Sequence, residues 1–133
     1  MILIDTSVLI DWLKGKETPE TKIFDKILNT STPFGISALT YQEILQNAKD
    51  EDREKLRSYL GTQIIYHLPH DMAFFDIASD FCSRLRRSGK AVCSTIYLLI
   101  AATAVHYDLK LLHSDKGFDI LASEINELEI LEY

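Results

Sequence analysis

Cysteine is scarce in this chain, with only Cys82 and Cys93 among 133 residues. They form no CxxC pair and no disulfide framework, so the sequence reads as one for a reducing cytoplasm. Positive charge is also short, with 14 Lys and Arg against 20 Asp and Glu and a formal net charge of −6. A broad nucleic-acid footprint needs a basic face, and this balance argues against one. It leaves room for a small phosphate site whose positive charge comes from metal ions. No apolar run reaches the roughly 18 residues of a membrane span. Met1 opens directly onto a strand-like run, so neither a membrane segment nor a signal peptide is expected. Repeats and low-complexity tracts are missing as well.

What is present is an ordinary globular composition, 47% hydrophobic and 26% charged, at a length that suits one domain over residues 1–133. Short apolar runs alternate with helical stretches, the pattern of a parallel sheet flanked by helices. Strands are expected at Met1–Ile4, Phe34–Ser37, Gln63–Leu68, Lys110–His113 and Glu127–Leu131. Between them the spacing predicts helices over Val8–Leu13, Pro19–Leu28, Thr40 to about Lys49, Asp50–Leu60, Asp71 to about Arg87 and Ile96–Tyr107, with a short one through about Ala122. The expected architecture is therefore three-layer α/β/α with a mostly parallel central sheet of about five strands. Leu98, Leu99, Ile100, Ala101, Ala102, Ala104 and Val105 leave the Ile96–Tyr107 helix almost no polar face, which places it in the middle of the domain.

Asp5 stands at the carboxyl end of the first strand, just before a helix. Open α/β sheets place their ligands in the crevice there. A carboxylate at that point needs a partner: a metal ion, a helix end or a basic side chain. Glu43 follows the second strand by one helical turn, Asp115 ends the fourth strand, and Asp119 lies four residues beyond it. Carboxylates gathered from separate strand ends repel one another unless a cation holds them, and Mg²⁺ or Mn²⁺ is the natural occupant. Such a site deprotonates water and stabilises charge on a phosphate. Each acid taken singly has a plainer reading. Thr40-x-x-Glu43 is equally a capping box, Asp115 a helix cap, Asp119 a solvated helix residue, and Asp11 a residue facing water.

Four blocks carry a family resemblance: Ile-Asp-Thr-Ser-Val-Leu-Ile-Asp at 4–11, Ser-Ala-Leu-Thr-Tyr-Gln-Glu-Ile at 37–44, Leu-Leu-Ile-Ala-Ala-Thr-Ala at 98–104 and Leu-Leu-His-Ser-Asp-Lys-Gly-Phe-Asp at 111–119. Together, and in this order, the chain resembles PIN domains, and among them the VapC toxins of toxin–antitoxin pairs. The resemblance implies a small α/β/α fold, an endoribonuclease dependent on Mg²⁺ or Mn²⁺, a homodimer, and inhibition by a VapB-type antitoxin. It implies that Asp5, Glu43 and Asp115 hold the metal, with Thr6 and Asp119 in support. Two positions depart from the family pattern. Tyr97 stands where members usually carry an aspartate, and Gly117 where many carry a further acid. A phenol with a pKa near 10 stays neutral at pH 7 and cannot replace a carboxylate at such a site. The chain is therefore expected to be weak or inactive, either through natural decay to a binding protein or through a change selected during cloning.

Other signals carry less. His67-x-x-His70 is broken by Pro69, which argues against zinc, and Cys93-Ser94 lacks a readable His/Asp partner. Arg84, Arg86, Arg87 and Lys90 form the one basic cluster of note. It suits a helix C-terminus without any ligand, and otherwise offers a phosphate grip for RNA. A receiver-type phosphoryl-transfer domain built on Asp5 is disfavoured by the missing Asp-x-Asp after the first strand.

Overall fold

The computed structural model describes residues 1–90 and 94–132. Cys93 therefore lies outside the described residues. The elements run β1 (Ile2–Ile4), α1 (Thr6–Leu13), α2 (Pro19–Asn29), β2 (Phe34–Ser37), α3 (Ala38–Gln46), α4 (Asp50–Leu60), β3 (Ile64–Tyr66), α5 (Met72–Arg87), α6 (Thr95–His106), β4 (Lys110–Leu112), α7 (Lys116–Glu124) and β5 (Glu129–Ile130). The strands form one sheet in the order β3-β2-β1-β4-β5, and every neighbouring pair is parallel.

Two apolar clusters cover the two faces of this sheet. One gathers Leu3, Leu111, Phe74, Phe81, Leu85, Phe118 and Leu121 with α6. The other packs Ile4, Ile36 and Leu112 against Val8, Leu9, Phe24, Ile44 and Leu60. Successive strand residues point to opposite faces; Leu3 and Ile4 accordingly belong to different clusters, both fully buried. A strand covered on both sides reads as a continuous apolar run, which is why β1 is Ile-Leu-Ile. In α6, Leu98, Ile100, Ala101, Ala102, Thr103 and Ala104 are all buried. Its alanines let neighbouring elements approach closely, and α6 packs against α5, α7 and β4.

The chain builds outward from β1 through β2 to β3, then crosses to the other side of β1 for β4 and β5. The reversal puts the topological switch between β1 and β4, and ligand crevices open at the carboxyl ends of the strands at such a point.

Several local expectations are corrected, among them the start of α1, which is Thr6 rather than Val8 because Asp5 caps it. α3 starts at Ala38, two residues before the expected Thr40, because the Ser37 side chain accepts the Leu39 N–H and caps the helix. Thr40 is thus inside the helix and fully buried, and the capping-box reading of Thr40 and Glu43 falls. β3 is shorter than expected, and so is β5. Gly35 in β2 is required by close approach: a Cβ there would lie 2.5 Å from the Tyr66 ring.

Candidate functional site

At the carboxyl edge of β1 and β4 lies a crevice of about 510 Å³, lined by Asp5, Thr6, Ser7, Ile10, Asp11, Glu43, Ser94, Ile96, Tyr97, Ser114, Asp115 and Phe118. Three local rules bring its acids there. Asp5 follows β1 and caps α1, its Oδ2 accepting the Ser7 N–H at 3.0 Å and the Ser7 hydroxyl at 2.6 Å. Asp115 follows β4 and caps α7 through Oδ1, which accepts the Gly117 N–H at 2.9 Å. Glu43 projects from the second turn of α3, which starts directly where β2 ends.

Short polar links tie these pieces together. The Asp5 N–H donates to the Leu112 carbonyl, extending the β1–β4 pairing by one step. Ser7 Oγ accepts the Ser114 N–H at 3.1 Å, which fixes the start of the β4–α7 loop to α1. Thr6 Oγ1 donates to Glu43 Oε1 at 2.8 Å and lies 3.0 Å from Thr40 Oγ1, so a buried hydroxyl pair holds the Glu43 side chain toward the Asp5 loop. The Tyr97 hydroxyl donates to Asp115 Oδ2.

Asp5 is only 6% exposed. Burial pushes its carboxyl pKa above the usual range; the hydrogen bonds from Ser7 and Thr6 pull the other way, and the neighbouring Glu43 charge adds to the rise. Among the described residues, no Lys, Arg or His forms an ion pair with Asp5. A buried carboxylate under like-charge pressure is a seat that a cation relieves, and the donors, all oxygen, suit a hard divalent ion. The residues at Asp5 and Glu43 therefore fit such an ion. Asp115 is engaged otherwise, through both of its oxygens. Among the described residues no three His, Cys, Asp or Glu side chains gather closely enough to hold a metal as they stand.

The remaining candidates lie elsewhere. Asp119 turns away from the crevice to His113, whose Nε2 is 3.2 Å from its carboxylate and whose Nδ1 accepts the Asp115 N–H. His113 is thus a buried brace that presents Asp115. Arg84, Arg86, Arg87 and Lys90 do not line the crevice. Arg84 pairs with Asp80 and Glu127, Lys90 pairs with Glu124, and Arg86 donates to Cys82 Sγ. Sequence reasoning missed Ser7 and Asp11. Asp11 was expected to face water; it lines the crevice, its side chain is 22% exposed, and Lys16 lies 3.8 Å away. Its position six residues after Asp5 hides this, since only the first turn of α1 shows that both face the same opening.

Known proteins agree with this architecture. A VapC ribonuclease of Mycobacterium bovis is 26% identical over 127 residues, 95% of each chain. The ribonuclease VapC19 of Mycobacterium tuberculosis is 28% identical over 112 residues, 84% of this chain and 86% of that one. Among solved structures, the DNA-bound VapBC of Salmonella typhimurium superposes with a TM-score of 0.72 at 17% identity, covering 98% of each chain. A toxin–antitoxin complex from Klebsiella pneumoniae gives 0.70 at 22% identity, covering 98% of this chain and 100% of that one. The PIN domain family matches residues 2–124, a span that runs from β1 through α7 and includes every element lining the crevice; this chain belongs to that family.

Proposed function

We propose that the chain is a VapC-like endoribonuclease toxin that cleaves RNA with a metal-activated water, and that a VapB-type antitoxin restrains it. The observation that carries this reading is the Asp5–Thr6–Glu43 arrangement at the switch point of a PIN-domain sheet: a buried carboxylate, a second acid held toward it, and an open crevice beside both. The names of the relatives support the substrate class and the partner, since they are ribonucleases and subunits of toxin–antitoxin complexes.

Asp5 and Glu43 would hold Mg²⁺ or Mn²⁺, with Asp115 at the rim of the same crevice but engaged by Tyr97 and Gly117. When bound there, the ion supplies positive charge for the RNA phosphate and lowers the pKa of water. The chain's own residues do the positioning. Ser7 fixes Asp5 in one rotamer, Thr6 fixes Glu43, and the Ser114 N–H bond to Ser7 keeps the β4–α7 loop in register with both. Without a bound cation the acidic rim would repel the RNA backbone. Arg86 and Arg87 at the end of α5 are proposed contacts to the RNA backbone, whereas Arg84 and Lys90 are committed to carboxylates.

The test is cleavage of cellular RNA by the purified chain in Mn²⁺, in Mg²⁺ and in EDTA. Metal-dependent cutting that drops by about 10²-fold or more in Glu43→Gln is the expected result. Cutting that persists in EDTA, or is untouched by Glu43→Gln, would contradict the assignment. A second reading is favoured by one contact, the Tyr97 hydroxyl on Asp115. It makes the chain a weakened PIN protein that still binds antitoxin or RNA. Retained antitoxin binding with no cleavage under any metal would select it.

A further inference from the structure

The two positions at which the crevice departs from the family pattern touch each other. A Cβ on Gly117 would lie 2.9 Å from Tyr97 Cε1, 3.2 Å from Cδ1 and 3.3 Å from Cζ, so the Tyr97 ring occupies the room that a side chain at 117 would need. The ring is backed by Phe118, with centroids 5.0 Å apart and planes at 59°. Phe118 is itself 2% exposed and packed against His113. Seated there, the phenol delivers its hydroxyl to Asp115 Oδ2 while the Gly117 N–H takes Oδ1.

We propose that Tyr97 and Gly117 are one matched device, a ring and the space it fills, that closes Asp115 to cations and leaves the cation seat to Asp5 and Glu43. Any aspartate that replaced Tyr97 would leave the space above Gly117 empty, and any side chain placed at 117 would collide with the ring. Tyr97 is in these terms a positioning residue: it acts on the site through Asp115.

The proposal rests on the reading of the crevice as a metal site, and two arms keep their failures apart. The first is Mn²⁺ binding by the whole chain, followed by the paramagnetic resonance of the free ion, for the parent, Tyr97→Phe and Asp5→Asn. Tyr97→Phe keeps the ring but removes the hydroxyl, and is expected to bind Mn²⁺ about tenfold more tightly than the parent, because Asp115 regains an oxygen. Asp5→Asn is expected to abolish binding. Affinity of Tyr97→Phe within twofold of the parent, with Asp5→Asn still dead, overturns the device and spares the metal site. Undiminished binding in Asp5→Asn overturns the metal site itself.

The second arm is a thermal double-mutant cycle on Gly117→Ala and Tyr97→Ala. Helices favour alanine over glycine, so Gly117→Ala is expected to lower the melting temperature only while Tyr97 is present, and to be neutral or stabilising in Tyr97→Ala. Equal effects of Gly117→Ala in the two backgrounds would show that the positions are independent and overturn the match.

Discussion

At Asp5, burial raises the carboxyl pKa and Glu43 adds to the rise, while Ser7 and Thr6 oppose it. The consequence is a trade of stability for a charged seat. Between the ordinary aspartate range and the raised folded value, the folded state binds more protons than the unfolded state. Stability of the metal-free protein therefore falls as pH rises through that window; Glu43, Asp11 and Asp115 also line the crevice, and the Glu43 charge acts in the same sense. Asp5→Asn removes the ionisation and keeps an acceptor for Ser7. It is expected to raise the melting temperature in EDTA by about 3 °C or more and to flatten its decline with pH. A lower melting temperature, or an unchanged pH profile, would show that the buried charge carries no cost. At Tyr97, restoring the acid is expected to raise Mn²⁺-dependent RNA cleavage by about 10²-fold, and the gain should vanish when Asp5→Asn is added. Equal cleavage by parent and Tyr97→Asp would remove position 97 from the account.

Among the elements, α3 carries the consequence of a cap that the sequence hid. Both Ser37 and Thr40 offer a capping hydroxyl, and Glu43 three residues after Thr40 completes the usual box; the pattern alone favours the later start. The choice falls to Ser37 because Thr40 is drawn into the buried contact with Thr6, a partner 34 residues away that no local pattern reveals. Ser37→Ala is expected to cost about 1 kcal/mol, read as a melting-temperature drop of about 3–4 °C. It should also loosen Glu43, so cleavage falls more than stability alone explains. Elsewhere, Arg84 ties α5 to the segment before β5 through Glu127, and Lys90, beyond the end of α5, pairs with Glu124 of α7. These pairs are solvent-screened and contribute little, so Arg84→Ala should shift stability slightly and leave RNA affinity unchanged. Removing Arg86 and Arg87 together is expected to weaken RNA binding and to reduce its salt dependence. No change in either would clear α5 of a role in substrate binding.

At the scale of the molecule, the fold was legible in the sequence because a sheet buried on both faces writes itself as unbroken apolar runs, β1 and β4 most plainly, and because α6 is apolar all round. Strand ends and helix starts were less legible, since β3 and β5 stop where pairing stops rather than where apolar residues do. The crevice was legible only as a set of strand-end acids. The His113–Asp119 brace, the inward turn of Asp11 and the seating of Tyr97 on Gly117 all depend on which segments the topology places side by side. The homodimer that the family resemblance implies belongs at this scale too; Met72, 73% exposed beside Phe75 and an apolar groove at Leu68 and Pro69, is exposed apolar surface. Light scattering is expected to give twice the chain mass, and a monomer mass at every concentration would refute it. The cation seat made by Asp5 and Glu43 can be seen outright by anomalous diffraction from crystals soaked in Mn²⁺. One peak is expected in contact with the Asp5 and Glu43 carboxylates, with the Tyr97 hydroxyl still on Asp115. Saturating Mn²⁺ with no peak in the crevice, or a peak away from Asp5, would contradict it.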